Sequence, residues 1–280
     1  RVLELIQCIK HVDPHKLVIL GGVNARYLAP RFFKAGADII CLSEAESTIV
    51  QIGDVLRRGS FDFSKIPGIA FCVNDQIIRK PMGAIDNNLD NLPIPAWDLL
   101  PLKRYWQIAR PHGSTQENEI RYASMMTSRG CPYKCEYCHI SKEQEGCPSG
   151  NIGKLRLKSI DRVIQEIDIL KGLGVQHIFI EDDSLLARKK RAMQIFNEIA
   201  KRKLILRDVN GVNIMHLFKP VKGRLEVDKE LLEAMINAGF QRLTLPFESG
   251  VQRILDKYST SKLKLDRINP SALIHTSKKY

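Results

Sequence analysis

The sequence predicts an α/β protein in two parts. Three observations carry that expectation. Helix-period and strand-period segments alternate through residues 1–60, the alternation resumes after residue 120 in four strand–helix units, and Pro81, Pro93, Pro95, Pro101 and Pro111 interrupt every apolar period between them. At 280 residues the chain exceeds the ~100–200 typical of one domain, so one large or two moderate cores fit. Its 44% hydrophobic, 26% charged and 7% aromatic residues exclude a disordered or collagen-like chain. No apolar run approaches the ~20 residues of a membrane span; residues 17–23 and 37–42 are the most apolar and are strand-sized. A soluble, cytoplasmic protein is expected. Arg1 falls inside a helical pattern with no Met and no secretory or transit segment, which predicts a fragment whose start lies upstream.

In chain order, Val2, Leu5, Ile6, Ile9 and Val12 recur at helical spacing, and residues 17–20 form a short apolar run ending at Gly21-Gly22, as a buried parallel strand would. Residues 25–34 read as a helix stopped by Gly36, residues 38–42 as a strand, and residues 47–58 as a helix capped by Ser47 with Gly59 behind it. This is the grammar of a doubly wound parallel sheet. Residues 69–73, Asn74-Asp75 and residues 76–79 then read as strand, turn and strand. The proline-rich stretch is a linker, structured where residues 92–100 carry Trp97 and other apolar groups. Beyond it, strands are expected at 122–127, 176–180, 204–209 and 242–247, and helices at 159–171, 185–201, 228–237 and 251–257. After Tyr258 the period is lost. Four such units make an open arc of barrel, not a closed one.

Lys and Arg number 43 against 31 acidic residues, a net +12. Such an excess attracts RNA, anionic lipid or an anionic cofactor. The cations cluster only at 188–191, 201–203 and 278–279, a spread that a solvated surface also produces, so nucleic acid stays open as a partner. Seven cysteines, an odd number without a secretion signal, point to a reducing compartment. Cys8, Cys41 and Cys72 sit singly in apolar patterns as small core residues, whereas Cys131, Cys135, Cys138 and Cys147 fall close together. No Gly-rich phosphate loop, HExxH helix or GxSxG elbow is present.

The segment Ser128-Arg129-Gly130-Cys131-Pro132-Tyr133-Lys134-Cys135-Glu136-Tyr137-Cys138 directly follows an expected strand, the place where loops of β/α folds carry chemistry. Random placement of the cysteines would give C-x3-C-x2-C in only roughly 0.4% of such chains, so the spacing is selected. A structural zinc site needs four ligands, with Cys147 or His139 as the fourth, and would make this a zinc-stabilised interaction domain. Three cysteines on a four-iron cluster instead leave one iron open to bind a small molecule.

The C-x3-C-x2-C motif, with Tyr137 before its last cysteine, resembles the radical S-adenosylmethionine (SAM) superfamily. The resemblance implies that Cys131, Cys135 and Cys138 hold a [4Fe-4S] cluster, that SAM chelates the open iron, and that its reductive cleavage yields methionine and a 5′-deoxyadenosyl radical. It also implies an electron donor such as flavodoxin or ferredoxin. Ile178-Phe179-Ile180-Glu181-Asp182-Asp183 ends the second strand where the superfamily contacts the methionine amine, which makes Asp182 and Asp183 cofactor candidates; an acidic triplet there also caps a following helix. Leu245-Pro246-Phe247-Glu248-Ser249-Gly250 is similar to the element that supports the cofactor's ribose and carboxylate, which assigns Glu248 and Ser249; turn chemistry also produces it. Arg156 matches a basic position frequent in the superfamily.

Residues 18–24, 36–40 and 43–47 resemble the later part of a cobalamin-binding domain, with Gly21 and Gly22 as cofactor contacts or as a simple tight turn. Ser43-Glu44-Ala45-Glu46 replaces the usual Gly-Glu-Gly-Glu, and the cobalt-ligating Asp-x-His-x-x-Gly motif is not in this chain. The fold class therefore reads as a partial cobalamin-binding Rossmann-like domain (residues 1–80), a Pro-rich linker (81–120) and a truncated radical SAM partial β/α barrel (121–280). The implied activity is cobalamin-dependent methyl transfer to a small-molecule substrate. An RNA-modifying methylthiotransferase is the alternative that the charge suggests.

Overall fold

The computed structural model describes residues 1–74, 76–83, 85–108, 120–147, 149–259 and 263–279. Asp75 and Pro111, invoked above for a turn and the linker, lie outside these residues. The chain divides into two compact units, Arg1–Asp86 with Lys142–Lys154, and Asn87–Ser141 with Leu155–Tyr280. Residues 142–154, which the sequence reading gave to the barrel, thus belong with the first unit.

In the first unit, α1 (Val2–Val12), β1 (Ile19–Leu20), α2 (Val23–Tyr27), α3 (Ala29–Lys34), β2 (Ile39–Cys41), α4 (Glu46–Arg57), β3 (Ile69–Val73) and β4 (Gln76–Arg79) follow in order. The sheet runs β1-β2-β3-β4. β1 and β2 are parallel and β3 pairs antiparallel with β4, as expected of the strand–turn–strand at 69–79, but β3 also pairs antiparallel with β2, so the sheet is mixed. Alternation along β2 sets its layers: Ile40 packs with Ile6, Ala29 and Phe32, and Ile39 packs with Ile52, Phe63 and Ile69 on the opposite face.

The helix expected at 25–34 is two. Pro30 lacks an N–H for the Arg26 carbonyl and its ring crowds that group, so the chain breaks at Leu28 and restarts with Pro30 in the first turn of α3. Ser47 does not cap α4: Ala45 occupies the cap position without a side-chain bond, and Ser47 Oγ accepts from Gln51 Nε2. Of the three single cysteines, Cys41 is buried but Cys8 and Cys72 are exposed.

In the second unit, 3-10 turns at Leu89–Asn91 and Trp97–Leu99 and helix α5 (Leu102–Ile108) lead to a four-stranded sheet. Its strands are β5 (Tyr122–Met125), β8 (His177–Ile180), β9 (Ile205–Asp208) and β12 (Phe240–Arg242). They are ordered β12-β9-β8-β5, all parallel, and do not close into a barrel. Short β6 (Ser128–Arg129) pairs antiparallel with β7 (Arg156–Leu157). The helices are α6 (His139–Lys142), a single turn after Cys138, then α7 (Ile160–Gly172), α8 (Lys189–Ala200), α9 (Lys229–Asn237), α10 (Gln252–Tyr258) and α11 (Pro270–Ser277). Val163, Ile167 and Leu170 of α7 pack with Ile195, Phe196 and Ile199 of α8 and with Ile178, Ile180 and Leu206 of the strands. Ser159 caps α7, its Oγ accepting from Arg162 N at 3.1 Å, and Trp106 of α5 donates to Tyr122 O at 2.8 Å.

Three expectations shift here. The last strand pairs at 240–242 instead of 242–247, because Gly239 brings its backbone against Leu204 and Leu206 N bonds Gly239 O at 2.8 Å, which starts the ladder early. The antiparallel hairpin β10 (Phe218–Val221) and β11 (Arg224–Val227) turns on Lys222-Gly223, both at positive φ, a signal that Pro220 obscured. The stretch after Tyr258 ends in α11, capped by Asn269 Oδ1 on Ala272 N with Pro270 in the first turn.

Gly239→Ala is expected to cost about 3 kcal/mol or more, since its φ is +100° and a Cβ would lie 2.0 Å from Leu204 O. Gly223→Ala, at φ +81° in open space, should cost only about 1 kcal/mol. Urea midpoints of the two variants check the difference.

Candidate functional site

The parallel strands of the second unit all point one way, so the loops after β5, β8, β9 and β12 gather at one end of the sheet. The loop after β5 carries the cysteines. It leaves the strand at Thr127, passes through Gly130 at φ +78°, and turns at Cys135, whose carbonyl accepts from Cys138 N at 3.1 Å. Glu136 N donates to Tyr258 O at 2.9 Å, tying the loop to the end of α10.

Two carboxylates at the end of β8 hold the start of that loop. Asp182 is 1% exposed and accepts from Thr127 N at 2.6 Å, Thr127 Oγ1 at 2.6 Å and Ser128 Oγ at 2.5 Å. Arg191 of α8 completes the clamp, donating to Thr127 O at 2.9 Å and Lys158 O at 2.7 Å. Burial raises the Asp182 pKa, against the three hydrogen bonds and Arg191, which lower it. Asp183 accepts from Gly130 N at 2.9 Å; burial raises its pKa as well.

A cavity of about 200 Å3 opens at this end of the sheet, lined by Cys131, Cys135 and Cys138 together with Tyr133, Tyr137, His139, Asp183, Ser184, Asn210, Asn213 and Glu248. Of the residues named from the sequence, the three cysteines, Tyr137, His139, Asp183 and Glu248 share this cavity. Asp182 lies behind it, engaged with the loop. Ser249 does not line it; its Oγ accepts from Val251 N at 3.1 Å. Arg156 is buried in β7, 5% exposed, and also lies off the cavity. Gly21 and Gly22 are in the other unit, both exposed with no atom within 4 Å of an added Cβ; Gly22 has φ +91°, a turn that favours glycine.

Cys135 is 5% exposed, and Cys131 and Cys138 are half-buried. Burial pushes the Cys131 thiol up, against a backbone hydrogen bond from Tyr133 that lowers it, and Asp183, Cys135 and Cys138 add smaller increases. Among the described residues no three His, Cys, Asp or Glu side chains close on one metal ion. The fit to a cluster rests on the donor set: three soft thiol ligands, presented by one loop into one cavity, suit a center whose separate irons each take one cysteine. Cys147 belongs to the first unit, with its Sγ 3.1 Å from Ser149 Oγ.

Glu248 holds φ +60°, a strained conformation for a non-glycine residue and one that clusters at functional sites. The Tyr137 hydroxyl lies 3.3 Å from Ser259 Oγ, and its pKa is raised by desolvation and by neighbouring Glu248. Tyr133 Oη is 2.8 Å from His216 Nε2. The sequence reading missed Tyr133, Ser184, Asn210 and Asn213; their common signal is position, in loops directly after expected parallel strands.

Residues 125–268 match the family model of the Radical SAM superfamily. The chain belongs to the radical SAM superfamily. An uncharacterized methyltransferase of Pyrococcus horikoshii is 26% identical over 88% of this radical SAM chain and 48% of its own length. Cytidylyl-2-hydroxyethylphosphonate methyltransferase of Streptomyces wedmorensis is 25% identical over 95% of the chain and 51% of its own length. The chain thus spans about half the length of these relatives. The radical SAM methyltransferase TsrM from Kitasatospora setae, solved with cobalamin and a [4Fe-4S] cluster, aligns with a TM-score of 0.63 at 15% identity over 99% of this chain and 50% of its own. The cobalamin-dependent radical SAM enzyme OxsB, solved with aqua-cobalamin, aligns at 0.65 and 17% identity over 93% and 35%. These similarities establish a radical SAM fold. Among the described residues no helix is long and apolar enough to cross a membrane.

Asp182→Ala strands the Thr127 amide and two buried hydroxyls, and is expected to cost about 3 kcal/mol and to speed amide exchange through residues 127–138. Asp182→Asn keeps one acceptor, and rotating hydroxyls adapt to its amide, so its effect should be smaller. A second test concerns Asp208 at the end of β9, 6% exposed, with neither carboxylate oxygen hydrogen-bonded among the described residues. Burial, with Asp182 nearby, raises its pKa from 3.8 to about 6, although the Thr244 and Gly211 amides partly oppose this. Between those values the folded form holds a proton that the unfolded form has lost. Its contribution to stability is therefore full below about pH 4, falls by about 3 kcal/mol as pH rises to about 6, and is flat above. Asp208→Asn should remove that fall and gain stability mainly at neutral pH. Equal wild-type-to-variant differences at pH 4.5 and pH 7.5 would refute the assignment.

Proposed function

We propose that this chain is part of a cobalamin-dependent radical SAM methyltransferase that acts on a small-molecule substrate, in a cytoplasmic, reducing compartment with a flavodoxin- or ferredoxin-type electron donor. The feature that supports this most is the convergence of Cys131, Cys135 and Cys138 on one cavity with Asp183 and Glu248. In this reading the three cysteines hold a [4Fe-4S] cluster, SAM occupies the cavity, and together they supply a 5′-deoxyadenosyl radical when loaded and reduced.

The remaining roles fall to the chain's own groups. Asp182 and Arg191 keep the cysteine loop seated, as positioning residues. Asp183 spends one oxygen on Gly130 N and keeps acceptor capacity for an ammonium group. Glu248, turned by its strained backbone, accepts from hydroxyls or an ammonium at the opposite wall. Tyr137 stays a neutral phenol and donates. In the first unit, Gly21-Gly22 leaves open space at the carboxyl end of β1, where ligands of open α/β sheets bind, and a cavity of about 600 Å3 lined by Arg26, Tyr27, Leu42, Arg79 and Met82 lies in the same unit. We assign cobalamin to this unit.

Anaerobic reconstitution tests the reading. About four irons per chain, with the brown color of a cluster, are expected for the wild type and should be lost in Cys135→Ala. Stoichiometric zinc that is indifferent to added iron and sulfide would favor a structural metal site instead.

A further inference from the structure

Asn213 stands out among the residues lining the cysteine cavity. Its side-chain oxygen is committed: Oδ1 accepts from Met215 N at 3.0 Å and so caps the 3-10 turn Ile214–Leu217 that follows β9. That bond fixes the orientation of the amide, because the nitrogen could not serve as the cap acceptor. Nδ2 is thereby left as a donor in the cavity wall. The residue is 7% exposed, and Nδ2 has no hydrogen-bond partner among the described residues. The side chain lies beside the Tyr133 hydroxyl and lowers that phenol's pKa against the larger effect of burial, which raises it, but the approach does not have hydrogen-bond geometry. A buried amide donor left unmade is costly, and this one borders empty space beside the cysteine loop.

We propose that Asn213 Nδ2 donates a hydrogen bond to an acceptor atom of the adenosyl ligand held in this cavity and so acts as a binding residue; this rests on the assignment of the cavity to SAM. The wall is divided by polarity in a way that suits such a ligand. Asp183 and Glu248 accept, and meet its ammonium and hydroxyl groups, while Asn213 donates, and meets either its carboxylate or an acceptor on its nucleoside.

The cap makes a clean experiment possible. Asp and Ser are both good N-cap residues, so both variants keep an oxygen on Met215 N; Asn213→Asp removes the donor altogether, and Asn213→Ser removes the Nδ2 amide, its one hydroxyl hydrogen lying on the shorter capping group. S-adenosylhomocysteine, which is not cleaved, is titrated calorimetrically into the anaerobically reconstituted whole chain, with iron content and thermal midpoint measured alongside. Wild type should bind, Asn213→Ser should bind about tenfold more weakly, and Asn213→Asp, which sets a carboxylate against the acceptor, more weakly still, at unchanged iron content. Should Asp fail to fold, the neutral Ser variant carries the comparison. 5′-Methylthioadenosine, which lacks the amino-acid end, locates the acceptor. A loss shared by both probes places it on the nucleoside, and a loss confined to S-adenosylhomocysteine places it on the carboxylate. Unchanged affinity in both variants overturns the role of Asn213 and leaves the SAM assignment standing. No binding by the wild type sinks the assignment of the cavity itself.

Discussion

The carboxylate of Asp182 is the interaction on which the candidate site depends. It sits at the end of a central parallel strand, and its two oxygens take three donors from Thr127 and Ser128, the second and third residues beyond the neighbouring strand. A loop that must present three sulfurs in fixed positions has little hydrophobic material of its own to hold it. Its geometry is therefore inherited from the sheet through charge-assisted hydrogen bonds, which are the strong ones in a low-dielectric setting. Asp183 repeats the device one residue later on Gly130. Neighbouring side chains of one strand end thus divide two tasks. The first anchors the loop from behind, and the second faces the cavity while steadying the same loop.

The cost of this arrangement is visible in its surroundings. Asp182, Asp183 and Asp208 are all acids whose ionisation burial disfavours, and Glu248 holds a backbone conformation that ordinary residues avoid. These departures from stable practice concentrate at the carboxyl ends of the parallel strands. The opposite layers are conventional, with Val163, Ile167, Leu170, Ile195, Phe196 and Ile199 interdigitating against the sheet. Stability comes from the helix-covered faces and is in part spent at the loops, as expected of a functional end.

Much of this organisation was legible in the sequence, and the limits are physical. The strands β5, β8 and β9 and the helix α7 declare themselves through apolar period and caps, which are local signals. The cysteine spacing stood out because its signal lies in adjacent residues, whereas of the Glu-Ser-Gly element only Glu248 lines the cavity. What could not be read depended on distant partners. The antiparallel pairing of β3 with β2 is not encoded in either strand's pattern. The early start of β12 follows from a close approach of Gly239 to Leu204, residues far apart in sequence. Asp182 looked like Asp183 on paper, and only the positions of Thr127 and Ser128 separate their tasks. Asn213 carried no motif at all. Its place on the cavity comes from the loop after β9, and its spare donor from the cap it makes two residues on.

The segment 142–154, four residues past Cys138, belongs to the first unit: Glu143, 2% exposed, pairs with Arg26 across 117 positions of chain, and Ser43 Oγ donates to Ser149 O at 2.7 Å. Neither unit is therefore a continuous stretch of polypeptide. During translation the amino-terminal unit cannot acquire the Glu143 partner of Arg26 until the ribosome has already made the cysteine loop. No single cut in the chain separates one unit from the other.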